Sequence, residues 1–207
     1  KLQTDDKGNL FYVCWGHGFA TWDSTRNIFS TAANFIPIPL NWDITDLVQE
    51  PGTSRYWIGL QSGGLALYNG TTRQLSYPGH NVENEPGVDL FAKLGAPPSN
   101  LFIDSKKRLW FDTWGPAFPY VHCYDIRSQK TILTNYDFVT ELKAYNEVGG
   151  FLEQKDGTVW VRGNKVLASY LEKENRFELV RNGYENEQSI VYDIVAEFSE
   201  DREENLW

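Results

Sequence analysis

Six side chains in this sequence have the chemistry to hold a small polar molecule. The indole faces of Trp15, Trp42 and Trp114 can stack on the apolar C–H face of a sugar ring, and His17, Gln61 and Arg162 can exchange hydrogen bonds with its hydroxyls. The competing reading of each is ordinary loop packing or a solvated loop residue. Other chemistries find less support. His17, His80 and His122 lack the spacing of metal ligands, and Cys14 and Cys123 form no metal pair or disulfide framework, reading instead as small apolar residues. No nucleophile elbow or phosphate loop is present. The fragment Gly16-His17-Gly18-Phe19 resembles an oxyanion element but has no partner serine, and among many carboxylates none stands out as a glycosidase pair. No catalytic residue, metal ion or cofactor is therefore expected in this segment.

The elements that must position these residues are short strands. Aromatic residues are 15% of the 207, there are 17 glycines and no Met, a composition that favours β structure over helical bundles. The net charge of -9 opposes phosphate backbones, which argues against nucleic-acid binding. No apolar run reaches the length of a membrane span, and no start methionine or signal peptide is seen. The sequon Asn69 to Thr71 falls in a turn and reads as turn chemistry.

One plan recurs along the chain. The segments beginning at Asp5, Glu50, Asp104 and Gln154 each run from a polar turn into an aromatic-led strand, and a fifth copy from Ser199 stops at its aromatic. That aromatic is Phe11, Trp57, Trp110, Trp160 and Trp207, at spacings of 46, 53, 50 and 47 residues. A second marker, Trp22, Tyr68, Tyr124 and Tyr170, follows its partner by 11, 11, 14 and 10 residues. An apolar strand such as "ITDLVQE", "NLFID", "GGFLEQ" or "YDIVAEF" precedes each aromatic strand from the second copy onward, and a strand such as "QLSY" closes the unit. Four strands in a period near fifty predict an all-β fold, a β-propeller of four-stranded antiparallel blades. The blades are placed at 1–32, 44–77, 99–136 and 149–181, with the start of another at 190–207. The recurring aromatics are then wedge residues between blades. Helical periodicity is weak everywhere, the best stretch being Val139 to Asn146.

The pattern D-x-x-G-x-L-W-I-G-T-x-x-G-G-L-x-x-Y-D resembles the two-component regulator propeller repeat. "YWIGLQSGGLALYN" matches it best, followed by "DSKKRLWFDT" with "CYD", "KDGTVWV" and "EDREENLW". The first copy departs by carrying Phe11 and the fourth by "RGNKV" in place of the Gly pair. The resemblance implies a portion of a larger, seven-bladed propeller in the periplasmic sensor of a hybrid histidine kinase. In such proteins the membrane helix, kinase, receiver and DNA-binding domain lie downstream, and the ligand is often a glycan fragment. It implies a non-enzymatic segment that contacts the membrane only through its missing downstream part.

In a propeller, the loops joining the second and third strands and those joining blades ring the axis on one face. The first kind is expected to contribute Trp15, His17, Gln61, Trp114 and Arg162, and the second Trp42. The expected partner is a small molecule or oligosaccharide. The long segments Pro78 to Asn100 and Val139 to Gly149 are candidates for a homodimer contact. Two other classes stay open at this point: a propeller lyase or hydrolase, which needs an acid and a base converging on one face, and a protein-interaction scaffold, which needs a flat apolar one.

Overall fold

Each complete repeat folds as a four-stranded antiparallel sheet with its strands in chain order, as seen in a computed structural model of the chain that describes residues 1–15, 18–39, 41–114, 119–180, 183 and 191–207. The first blade is β1 (Leu2–Thr4), β2 (Leu10–Cys14), β3 (Gly18–Asp23) and β4 (Ile28–Ser30). The second is β5 (Ile44–Gln49), β6 (Arg55–Leu60), β7 (Leu65–Asn69) and β8 (Gln74–Ser76). The third is β9 (Pro98–Ile103), β10 (Arg108–Trp114), β11 (Pro119–Asp125) and β12 (Lys130–Tyr136), and the fourth β13 (Glu147–Glu153), β14 (Val159–Asn164), β15 (Leu167–Leu171) and β16 (Arg176–Leu179). β9 lies between β5 and β13, and β5 packs beside β2, so the leading strands gather around a common axis. The fold is an all-β arrangement of four propeller blades.

The two aromatic markers recur because they meet each other across blade boundaries. Side chains alternate along a strand, so Trp57 and Trp110 face the following blade while Tyr124 and Tyr170 face the preceding one. Trp57 meets Tyr124 edge-on at 5.9 Å between centroids, and Trp110 meets Tyr170 at 4.9 Å. Both indoles are fully buried. Edge-to-face pairing is the favoured geometry for such rings, and it fills the wedge between twisted sheets.

The polar turns between first and second strands form one face of the molecule, and a carboxylate organises most of them. Asp104 accepts from the Arg108 amide at 2.9 Å, its guanidinium at 2.5 Å and the Trp110 indole N–H at 2.8 Å. Gln154 takes the Trp160 indole, and Asp201 the Trp207 indole, each six residues on. Phe11 has no N–H to offer, and the hydroxyl of Tyr56 from the next blade donates to Asp5 at 2.8 Å instead. In the second blade the spacing from Glu50 to Trp57 is seven rather than six. Glu50 pairs with Arg55 at 3.1 Å, and the buried Trp57 N–H has no hydrogen-bond partner.

A second set of bonds on this face ties neighbouring blades. The amides of Asp6, Ser105 and Lys155 donate to the side chains of Gln49, Glu153 and Glu200 at 2.7, 2.7 and 2.9 Å. Between the second and third blades both halves of this link are missing, because Pro51 has no N–H and Ile103 no acceptor. There the Lys107 ammonium reaches the Pro51 carbonyl, and the buried Glu85 receives Arg55 at 2.5 Å and the Tyr124 hydroxyl at 2.6 Å.

Three features depart from the sequence-based expectation. The segment between the second and third blades carries a helical turn, α1 (Pro86–Leu90), with Glu85 capping the Gly87 amide. Gly87 is required there, since a Cβ would stand 2.8 Å from both the Trp57 and Tyr124 rings. The weakly helical stretch from Val139 yields only α2 (Val139–Leu142). "YDIVAEF" forms no strand ladder; its amide at Val195 bonds Gly163 and its carbonyl at Asp193 accepts from Lys165, so it serves as an edge contact to the fourth blade. Beyond it, Ser199 and Trp207 exchange both backbone bonds and close the fifth turn.

Candidate functional site

The inner strands are apolar except where each must bend. β5, β9 and β13 all carry a one-residue bulge against their partners, between Ile44 and Asp46, within Ser99 to Phe102, and between Val148 and Gly150. A bulge raises the local twist and re-aims side chains. Here it directs polar groups to the axis. Asp46, 4% exposed at its side chain, accepts from Lys1 Nζ at 2.8 Å and Gln3 Nε2 at 3.1 Å of the first blade. It also accepts from its neighbour Leu47 N at 2.8 Å and from Leu101 N of the third blade at 2.9 Å. Asn100, in the left-handed region at φ 50°, donates to Asp112 at 2.8 Å and to the Val148 carbonyl of the fourth blade at 3.3 Å. One polar chain thus joins all four sheets.

Asp112 differs from Asp46 in its partners. Its side-chain donors are Ser99 Oγ at 3.0 Å and Asn100 Nδ2, and it forms no ion pair among the described residues. Burial drives its carboxyl up to about 7, and the charge of Asp46 adds in the same direction against the hydrogen bonds. Above this floor opens a cavity of about 340 Å³, bordered by Lys1, Trp15, Asp46, Ser99, Asn100 and Trp114. Trp15 and Trp114 are 47% and 48% exposed, so each indole keeps a free face.

A larger cavity of about 680 Å³ lies outward on the second blade and brings Trp42 and Gln61 together with Asn41, Asp43 and Tyr77. The Trp42 ring packs edge-on against Tyr77 at 4.8 Å, which in turn lies 4.9 Å from His80. Gln61 is exposed, and its amide donates to the Asp43 carbonyl at 2.9 Å. The Gly63-Gly64 pair turns the chain beside it, both residues at positive φ.

The six expected ligand residues therefore separate. Trp15 and Trp114 share the axial pocket, and Trp42 and Gln61 share the outer one. Arg162 lies within β14 rather than in the following loop, with its guanidinium over the Gly149-Gly150 bulge and ion-paired to Glu197 at 3.0 Å. His17 lies outside the described residues. His122 is buried against Phe111 and hydrogen-bonded to Thr113, with its imidazole pushed down to about 4 by burial. The axial residues Asp46, Asn100 and Asp112 were missed from sequence. Their signal was a polar residue inside an otherwise apolar strand, in "ITDLV", "SNLFI" and "LWFDT". No cluster of three or more His, Cys, Asp or Glu side chains suited to a metal occurs among the described residues, and no described helix is long and apolar enough to cross a membrane.

No family model matches the sequence, and no curated protein matches it. Solved structures do resemble it. The extracellular domain of BT3049 from B. thetaiotaomicron, described as a hybrid two component system, superposes with a TM-score of 0.64 at 16% identity over 100% of this chain and 25% of its own. That of BT4673 from the same organism, described likewise, gives 0.63 at 16% identity over 98% of this chain and 24% of its own. PorZ of Porphyromonas gingivalis, described as a surface component of the type-IX secretion system, gives 0.53 at 16% identity, covering 97% and 29%. The chain spans about a quarter of the length of the first two. At this identity the likeness is one of fold.

Proposed function

We propose that this chain is a ligand-sensing propeller segment of an extracytoplasmic two-component receptor, and that it binds a saccharide-like molecule in the axial pocket. One observation carries the reading: Trp15 and Trp114, from blades that are not neighbours, present half-exposed indoles over a polar floor to which all four sheets contribute. A cavity of 340 Å³ is at the small end for preformed ligand sites. Its position suits a sensor. A ligand held there contacts every blade through the Asp46 and Asn100 bonds, so a change in occupancy acts on blade spacing. The likeness to the extracellular domains of BT3049 and BT4673 supports a periplasmic setting and a kinase elsewhere in the parent protein.

A hydrolase or lyase reading draws on the two buried axial carboxyls, Asp46 and Asp112. It is disfavoured by access. Asp112 is fully buried and sealed beneath Ser99 and Asn100, so only Asp46 borders the cavity and no acid and base are presented together. A scaffold reading asked for a flat apolar face, whereas this one is concave and carries Lys1, Asp46, Ser99 and Asn100 in its lining.

The test is titration calorimetry against a panel of mono- and oligosaccharides, with Trp15→Ala and Trp114→Ala alongside. Each variant is expected to keep the folded state and to weaken binding roughly tenfold or more. Absence of heat from every sugar would overturn the ligand assignment.

A further inference from the structure

The axial floor holds two carboxyls, of which Asp46 borders the cavity and Asp112 is sealed beneath it. Asp46 and Asp112 both belong to it, and the Lys1 ammonium is the one cation bonded to it among the described residues. That ammonium rests on Asp46 Oδ2 at 2.8 Å and on the Leu101 carbonyl at 3.5 Å, beside the Trp15 rim. The position suits an ammonium: a buried carboxylate oxygen and a backbone carbonyl accept from it, at the border of the cavity that Trp15 and Trp114 also line. Lys1 holds it loosely, since its side chain is 47% exposed while Asp46 is 4% exposed. A flexible lysine can leave to solvent, but the carboxylate cannot follow it.

We propose that the axial pocket selects a polyhydroxylated ligand carrying a protonated amine, such as an amino sugar, and that its ammonium takes the place on Asp46 that Lys1 holds in the free chain. This rests on the reading of the pocket as a ligand site and names its chemistry. Trp15 and Trp114 favour the same choice, because aromatic faces attract cations as well as C–H groups. A ligand carboxylate would instead meet Asp46, with the Lys1 ammonium to offset it.

Titration of the full chain at pH 7 with glucosamine, glucose and glucuronate separates the possibilities. Glucosamine is expected to bind roughly tenfold tighter than glucose, and glucuronate weakest. Asp46→Asn should narrow the glucosamine to glucose ratio to about twofold. Because Asp46 also joins three blades, Lys1→Ala provides an independent arm: removing the competing ammonium should tighten glucosamine and leave its advantage over glucose larger. Glucose binding as tightly as glucosamine, glucuronate binding tightest, or Lys1→Ala weakening glucosamine would each overturn the selectivity while leaving a ligand pocket in place. No binding by any of the three, nor by the wider sugar panel, would overturn the pocket reading itself.

Discussion

The third blade holds two buried aspartates eight residues apart, Asp104 at its turn face and Asp112 at its axial edge. Asp104 is enclosed by the Arg108 guanidinium, the Arg108 amide and the Trp110 indole, and Arg108 itself lies 5.2 Å over the Trp110 ring and 5.5 Å over Tyr170. Asp112 has two neutral donors and no cation. Burial is similar, so the partners decide the outcome. A carboxylate with its counter-charge in place works as an internal fastener. One without it has its charge settled by the proton that burial favours.

The sharpest way to break this contrast is to remove the fastener. Asp104→Ala leaves the buried Arg108 charge only its 3.3 Å contact with the exposed Glu172 and the Trp110 N–H without its acceptor, and should cost about 3–5 kcal/mol in urea denaturation. Asp112→Asn should act in the opposite sense. The folded carboxyl, raised to about 7 from an unfolded value of 3.8, binds more protons than the unfolded one between those limits. The parent therefore loses stability from this group as pH rises from about 4 to about 7, and the loss is complete above that. The amide mimics the protonated acid at every pH. The variant should match the parent near pH 4 and exceed it by about 2–4 kcal/mol at pH 8, read from denaturation curves across pH; equal curves at pH 8 would erase the distinction drawn between the two aspartates. The smallest effect concerns the indoles. Trp110→Phe breaks a buried hydrogen bond, whereas Trp57→Phe removes a buried N–H that has no partner, so the first should cost about 1–3 kcal/mol more than the second.

The turns of that face were legible in the sequence because the bonds within each turn are local, whereas the bonds tying one turn to the next blade were not. The six-residue interval from Asp104 to Trp110 recurs from Gln154 to Trp160 and from Asp201 to Trp207, and the seven-residue interval at Glu50 already marked the blade whose indole is left unpaired. The axis was not legible to the same degree. Whether Asp46 points inward depends on a bulge, which is a property of two paired strands rather than of one. The separation of Trp42 and Gln61 from Trp15 and Trp114 is set by contacts such as Trp42 on Tyr77, 35 residues away in sequence. α1 escaped notice because five residues are too few for periodicity, and its start rests on a Glu85 cap that also serves Arg55 and Tyr124.

The missing link at Pro51 and Ile103 has a mechanical consequence. Where the other seams are stitched at the rim by a short amide-to-side-chain bond, this one hangs at the rim on the long Lys107 side chain and is pinned deeper by Glu85. A joint fixed inside and slack outside behaves as a pivot. The axial floor crosses that same joint through Thr45 to Pro98 and Asp46 to Leu101, so this seam is held at the axis and at Glu85 and is loose only at its rim.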